Sequence, residues 1–147
     1  MAGQPRAFKS VKDLAGQVEG YFEECSAGEF QMYRGGEAIT VTEPLTVSGL
    51  ASHLGIDRMT LFRYGAGEYG DEYCDTIKKA RARIERDKVA KAMLGIYDRT
   101  ICIFDLKNNH GWKDRDTNEN GDDVPLPVAV SFQEIDGRKD AAHPEAD

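Results

Sequence analysis

The sequence has few of the features that mark secreted, membrane-embedded or disulfide-rich proteins. Three cysteines stand far apart in 147 residues, and none belongs to a CxxC pair. No apolar run approaches the roughly 20 residues that cross a bilayer, and residues 1–9 lack the apolar stretch of a secretion signal. We therefore expect a cytoplasmic protein with no membrane contact and no structural disulfide.

Motifs for catalysis and cofactor binding are also missing. The sequence has no phosphate-binding loop of the Walker type, and its three histidines are scattered. Gly65–Gly70 matches GxGxxG, but a dinucleotide fold needs a strand before that motif, and here a helical pattern precedes it. Asp116–Gly121 opens like a calcium loop, but Pro127 stands where the loop needs a glutamate. We expect no cofactor, no metal and no catalytic residue.

Negative charge is concentrated at one end of the chain. The net charge is −7, and residues 116–147 account for it with nine acidic and two basic residues. The preceding part is neutral overall, and within it residues 78–91 contain seven basic and two acidic residues. Affinity for nucleic acid depends on such local potential rather than on the sum over the chain. The acidic total is therefore compatible with DNA binding.

The spacing of apolar residues predicts a mainly α-helical chain. Residues 1–9 are expected to form a flexible arm, 10–70 an N-terminal DNA-binding region, and 71–113 a helical oligomerisation region containing a long helical hairpin. Ala38–Val41 has the pattern of a short extended piece. The predicted helices cover residues 11–25, 47–54, 58–64, 71–97 and 100–109.

Beyond residue 113 the pattern changes from helical to alternating. Residues 114–123 form a predicted polar linker, and 136–147 a disordered acidic tail. Between them, Val128, Val130 and Phe132 alternate with other residues in a predicted strand over 124–135. Because a lone strand leaves its backbone groups unpaired, we expect this strand to pair with those of neighbouring subunits.

The strongest motif is VSGLASHLGIDRMTLFRY, residues 47–64, which fits a helix-turn-helix. That motif needs a small residue where its helices cross, and a turn residue that tolerates positive φ. Ala51 and Gly55 stand at those positions. An ordinary helical hairpin with two surface arginines is the alternative. The apolar residues predicted to fill the corner are Leu50, Leu54, Ile56, Leu61 and Tyr64.

The second helix of the motif supplies the predicted DNA-reading residues. Arginine can bind guanine with two hydrogen bonds, and threonine or methionine can contact a thymine methyl group. The predicted contact residues are Arg58, Met59, Thr60, Phe62 and Arg63.

A basic stripe is predicted on the long helix. Lys79, Arg83 and Arg86 share a face at spacings i, i+4 and i+7, and Lys78, Arg81 and Lys88 extend it. The stripe either contacts phosphates or is a solvated charged face. The apolar residues of this helix change face along its length, which indicates two packing partners. In a chain this small, the second partner could be another subunit.

The order of these segments resembles the small terminase subunit of tailed bacteriophages, a type of DNA-packaging protein. The resemblance covers about residues 10–135, and its most typical part is an apolar helix that closes in KNNHGWKD. It rests on VKDLAGQVEGYFEEC, PLTVSGLASHLGIDRMTLFRY, DTIKKARARIERDKVAKAMLG with ICIFDLKNNHGWKDR, and VPLPVAVSFQEI.

The resemblance implies a non-catalytic protein of the host cell cytoplasm that assembles into a homo-oligomeric ring of about nine subunits. C-terminal strands would form a barrel or stem in that ring. It also implies recognition of a packaging site, cos or pac, on concatemeric double-stranded viral DNA. The partner is a large terminase subunit with ATPase and nuclease activity, which would contact the C-terminal segment. DNA reading would fall on Arg58, Met59, Thr60 and Arg63. The alternative is a dimeric helix-turn-helix transcription regulator, and the native mass distinguishes the two.

Overall fold

The computed structural model describes residues 7–114, so the predicted strand with Val128, Val130 and Phe132 lies outside the described residues. The described part is mainly helical with one small antiparallel sheet. Its elements are α1 (Val11–Ala27), β1 (Glu29–Arg34), β2 (Glu37–Thr42), α2 (Val47–His53), α3 (Arg58–Gly65), α4 (Asp71–Met93) and α5 (Arg99–Asn109).

Four helices begin at a residue whose side-chain oxygen accepts a hydrogen bond from a backbone amide of the first turn. Such caps satisfy amides that have no partner inside the helix. They explain why these helices begin where they do. The capping residues are Ser10 for α1, Thr46 for α2, Asp57 for α3 and Asp98 for α5.

The long helix α4 ends at Met93, four residues before the predicted end. Gly95 has a φ of +69°, a left-handed conformation that stops the helix. A Cβ at this position would lie 2.7 Å from Nη2 of Arg34, but that side chain is flexible and exposed, so the positive φ alone requires glycine. The sequence prediction was therefore wrong for residues 94–97.

The extended piece predicted at Ala38–Val41 is one strand of a hairpin. β1 and β2 pair antiparallel, with Phe30 opposite Val41 and Met32 opposite Ile39. Gly35 and Gly36 join the strands with φ values of +59° and +86°, which match a type I′ turn. Sequence reasoning missed β1 because EFQMYR alternates too weakly to predict a strand.

One apolar core joins α1, α2, α3 and α4. Because α4 contributes to it, the predicted N-terminal region and the first half of the predicted oligomerisation region fold around the same core. Its most deeply buried side chains are Leu14, Phe22, Val47, Leu50, Leu61, Tyr64, Ile77 and Ile84. α5 packs along the second half of α4 and buries Cys102 and Leu106.

The predicted flexible arm is wrong for its last residues. Phe8 is buried, and its ring meets that of Tyr64 edge to face at 5.3 Å. The backbone amide of Ala7 donates a hydrogen bond to the Tyr64 hydroxyl at 3.2 Å. Residues 7 and 8 therefore belong to the core. Within residues 7–114, no helix is both long and apolar enough to cross a membrane.

Candidate nucleic-acid interface

Helices α2 and α3 meet at a tight turn. Gly55 has a φ of +68°, and the amide of Ile56 donates to the carbonyl of Ala51 at 3.1 Å. Ile56 is partly buried, and the other predicted corner residues are buried. The buried ones are Leu50, Ala51, Leu54, Leu61 and Tyr64. The two helices thus share an apolar corner and leave one side of α3 facing solvent.

The solvent-facing side of α3 presents Met59, which is 62% exposed, and Arg63. Thr60 is arranged differently, because its amide and hydroxyl both donate to the carboxylate of Asp57, at 2.7 and 3.0 Å. These bonds also lower the pKa of Asp57. The hydroxyl of Thr60 is therefore engaged in the helix cap.

Arg58 and Phe62 lie at the border between α3 and the α4–α5 pair. Nη1 of Arg58 donates to Oδ1 of Asn109 at 2.8 Å. The partly buried ring of Phe62 lies 4.6 Å from the guanidinium of Arg81 and 5.8 Å from that of Arg58. Phe62 is thus covered by two cationic groups of the same chain.

Sequence reasoning missed Asn109, although one signal was present. Asn109 follows Cys102 and Leu106 at helical spacing, and all three are buried. Such a stripe places Asn109 on the side of α5 that faces α4. An asparagine at that position must find hydrogen-bond partners, because burying an unpaired polar group is costly.

The predicted extension of the basic stripe by Lys88 is wrong. Lys88 is 5% exposed, and its ammonium group pairs with the carboxylate of Asp105. The buried imidazole of His110 lies beside this pair, 3.8 Å from Asp105 and 3.7 Å from Glu85. Burial lowers the pKa of His110, although the two carboxylates oppose that effect.

Two other basic residues of the stripe, Lys79 and Arg83, lie on a different side of α4 from Arg58. Arg83 pairs with Glu19 of α1 at 3.2 Å, and its guanidinium lies 4.0 Å from the ring of Phe22. Lys79 lines a shallow groove between α1 and α4 together with Arg83, Glu19 and Phe22. Arg81 instead contacts α3 and α5. The structure therefore brings Arg81 to Arg58 but separates Lys79 and Arg83 from them.

Arg86 and Lys79 are exposed, and neither makes a hydrogen bond or ion pair with any residue in the range 7–114. Both are therefore available to a phosphate group, whereas Arg83 would first have to leave Glu19. DNA contact by Lys79, Arg83 and Arg86 stays a prediction. In the described part of the chain, no cluster of His, Cys, Asp or Glu side chains could hold a metal ion.

Comparison with known proteins gives one family. Residues 3–118 match the family described as DNA-packaging protein gp3, which is well over half of the chain. No curated protein shows significant similarity to the sequence. The matched range includes all seven elements of the fold. The chain therefore belongs to the DNA-packaging protein gp3 family, and it is a phage DNA-packaging protein.

Proposed function

We propose that this DNA-packaging protein is a small terminase subunit. It binds the viral packaging site through α3, has no catalytic activity, and assembles into a ring that presents DNA to the large terminase subunit with its ATPase and nuclease. The observation that carries the proposal is the α2–α3 corner in a member of this family. Its turn at Gly55 leaves Met59 and Arg63 exposed on α3.

The exposed side of α3 has the chemistry of a base-reading surface. The major groove admits an α-helix, and side chains from the first turns of the second helix reach base edges. Arg58 is the first residue of α3, Met59 follows it, and Arg63 lies about one turn further along. Two guanidinium groups can bind guanine, and the methionine can contact a thymine methyl group.

A second surface supports self-association. Six large apolar side chains near the end of α4, in α5 and just beyond it are 46–79% exposed. Monomeric proteins rarely expose so many large apolar side chains on and around one short helix, so neighbouring copies are expected to cover them. They are Met93, Leu94, Ile101, Ile103, Phe104 and Trp112.

The two flanks of α5 differ, which favours head-to-tail contact between copies. Ile101 and Ile103 point about 200° apart around the helix axis. Ile101 borders a groove of about 310 Å³ with Tyr97, and Ile103 borders one of about 360 Å³ with Trp112. A contact between two different patches repeats from copy to copy and closes into a ring when the rotation allows it.

The DNA-binding half of the proposal is tested with a duplex selected by the protein from a random library, and with a scrambled duplex. Arg63→Ala should reduce discrimination between them by about 1–3 kcal/mol, the value of a two-bond base contact. Lys79→Ala should weaken both duplexes alike and lower the salt dependence. Lys12→Ala, which removes an exposed charge from α1, is the control. Equal losses on both duplexes for Arg58→Ala and Arg63→Ala would contradict base reading by α3.

The ring is tested by native mass measurement. Phe104→Asp should break the particle into smaller species, because it places a charge among the exposed apolar side chains of α5. Gln31→Glu adds a negative charge at an exposed position of β1, outside α4 and α5, and should leave the mass unchanged. A dimeric wild-type protein would instead favour the transcription regulator. An unchanged ring in Phe104→Asp would show that the interface lies elsewhere.

A further inference from the structure

We propose that Asn109 is a positioning residue for DNA recognition, which holds the guanidinium of Arg58 in a fixed place at the edge of α3. The inference rests on the proposed reading of DNA by α3. It adds a residue from α5, 51 positions away from Arg58 along the chain, to the determinants of specificity.

Asn109 connects three helices through a nearly buried side chain and its carbonyl group. Its Oδ1 accepts from Arg58 of α3 at 2.8 Å, and its backbone oxygen accepts from Nη2 of Arg81 of α4 at 2.8 Å. Its Nδ2 donates to Oδ1 of Asp105 at 2.9 Å. Asn109 itself is 9% exposed.

The partners of Asn109 fix the orientation of its amide. An ionised carboxylate can only accept hydrogen bonds, so the NH₂ group must face Asp105. The other carboxylate oxygen of Asp105 is paired with the buried ammonium group of Lys88. The amide oxygen is thereby directed at Arg58, which can only donate. Each group in this chain of contacts has one possible role, so the arrangement has one orientation.

This arrangement orders Arg58 before DNA arrives. A free arginine side chain populates many rotamers, and part of that entropy is lost when the side chain binds. One N–H of Arg58 is used at Asn109, and the guanidinium has others for a base. The ring of Phe62 at 5.8 Å further limits where the group can lie. A pre-ordered arginine loses less entropy in a base contact and therefore discriminates better.

The test measures binding of full-length protein to the selected and the scrambled duplex, with native mass recorded for every variant. Asn109→Ala should weaken binding to the selected duplex about fivefold, as expected for coupled neighbours, and barely change binding to the scrambled one. In an Arg58→Ala background the same substitution should have no further effect. Asn108→Ala is the matched control, because among residues 7–114 that exposed side chain bonds only to the carbonyl of Phe104 in its own helix.

A conservative variant separates positioning from stability. Asn109→Asp keeps an oxygen for Arg58 but brings a second carboxylate beside Asp105. It should therefore retain most of the discrimination while lowering the melting temperature. If discrimination instead followed the melting temperature across both variants, Asn109 would be only a structural residue.

Two further outcomes are distinguishable. If Arg58→Ala changed binding to neither duplex, base reading by Arg58 would be wrong, whatever Asn109 does. If Arg58→Ala reduced discrimination but Asn109→Ala left it unchanged, or the two losses added, the positioning role would be wrong. Tighter binding by Asn109→Ala would also overturn it, because Asn109 would then withhold Arg58 from DNA.

Discussion

The hydroxyl of Tyr21 makes two hydrogen bonds with the backbone of Thr46, accepting from its amide at 2.9 Å and donating to its carbonyl at 3.1 Å. Oγ1 of Thr46 in turn accepts from the amide of Gly49 at 2.9 Å. One buried side chain of α1 therefore fixes the residue that caps α2. The position of the α2–α3 corner relative to α1 depends on this contact.

We expect Tyr21→Phe to lower the free energy of unfolding by about 1–3 kcal/mol, because it leaves the amide of Thr46 without its partner. Urea unfolding measures this change. Tyr33→Phe removes the hydroxyl of a residue that is 76% exposed, so it should change stability by only a few tenths of a kcal/mol. Equal effects from the two substitutions would show that the contact with Thr46 contributes nothing.

We also expect the ionisation of Tyr21 to make the protein less stable in alkali. Burial raises its pKa from 10.0 to about 12. Its contribution is therefore complete below pH 10 and is lost as the pH rises towards 12, where the unfolded chain ionises first. The Tyr21→Phe protein should show a weaker decline over that window.

Gly55 and Gly16 should respond to alanine with opposite signs. A Cβ at either position would meet no atom within 4 Å, so space does not distinguish them. Gly55 has a φ of +68°, and alanine there should cost about 1–2 kcal/mol. Gly16 lies inside α1 with an ordinary helical backbone, and alanine there should stabilise by up to about 1 kcal/mol. Thermal unfolding of both variants measures the difference, and a neutral Gly55→Ala would contradict the need for glycine in the turn.

The α2–α3 corner could be predicted because its determinants are local. Thr46, Gly55 and Asp57 act on amides or turns within a few residues, and the apolar spacing between them is visible in the sequence. Only part of the hairpin was predicted, since β2 was expected as an extended piece and β1 was not.

The contacts of α5 could not be predicted in the same way. Asn109 contacts Arg58, which is 51 positions away, and Lys88 contacts Asp105, which is 17 positions away. No periodic spacing in the sequence indicates either contact. A basic residue in a basic run predicts exposure, and only the packing of α5 on α4 shows that Lys88 is buried. Tertiary contact therefore decides which charges of α4 remain on the surface.

Removing one partner of the Lys88–Asp105 pair should lower the free energy of unfolding strongly, whereas replacing both by neutral residues should lower it much less. Lys88→Met leaves the Asp105 carboxylate in a mostly buried place without its cation, which should cost about 3–5 kcal/mol. The double variant Lys88→Met with Asp105→Asn should recover most of that loss, because no unpaired charge remains and the side chain at 105 still offers an oxygen to the amide of Asn109. Urea unfolding of the single and double variants forms a complete cycle. If the double variant were as unstable as the sum of the single variants, the two residues would not act as a pair.

His110 should make the protein less stable in mild acid. Its side chain is 1% exposed, and its Nε2 has no hydrogen-bond partner among residues 7–114. Burial lowers its pKa below the ordinary value of 6.5. The charges that face it are Glu85 and Asp105, which favour the protonated form, and Lys88 and Arg81, which oppose it. Above pH 6.5 neither the folded nor the unfolded chain binds the proton, so the contribution of His110 is complete there. As the pH falls below 6.5, the unfolded chain binds the proton first, and stability declines until the pH reaches the lower pKa of the folded protein.

One proton limits this decline to about 1.4 kcal/mol per pH unit. Urea unfolding between pH 7.5 and about 5.5 measures it, because most carboxylates titrate at lower pH. His110→Gln keeps a polar side chain that cannot be protonated, so its stability should change less over the same range. Gln31→Ala, at an exposed position of β1 that carries no titratable group, is the control and should leave the wild-type slope in place. If His110→Gln kept the full slope, or if wild-type stability rose on acidification, burial would not control the proton of His110, and its ion pairs with Glu85 and Asp105 would dominate instead.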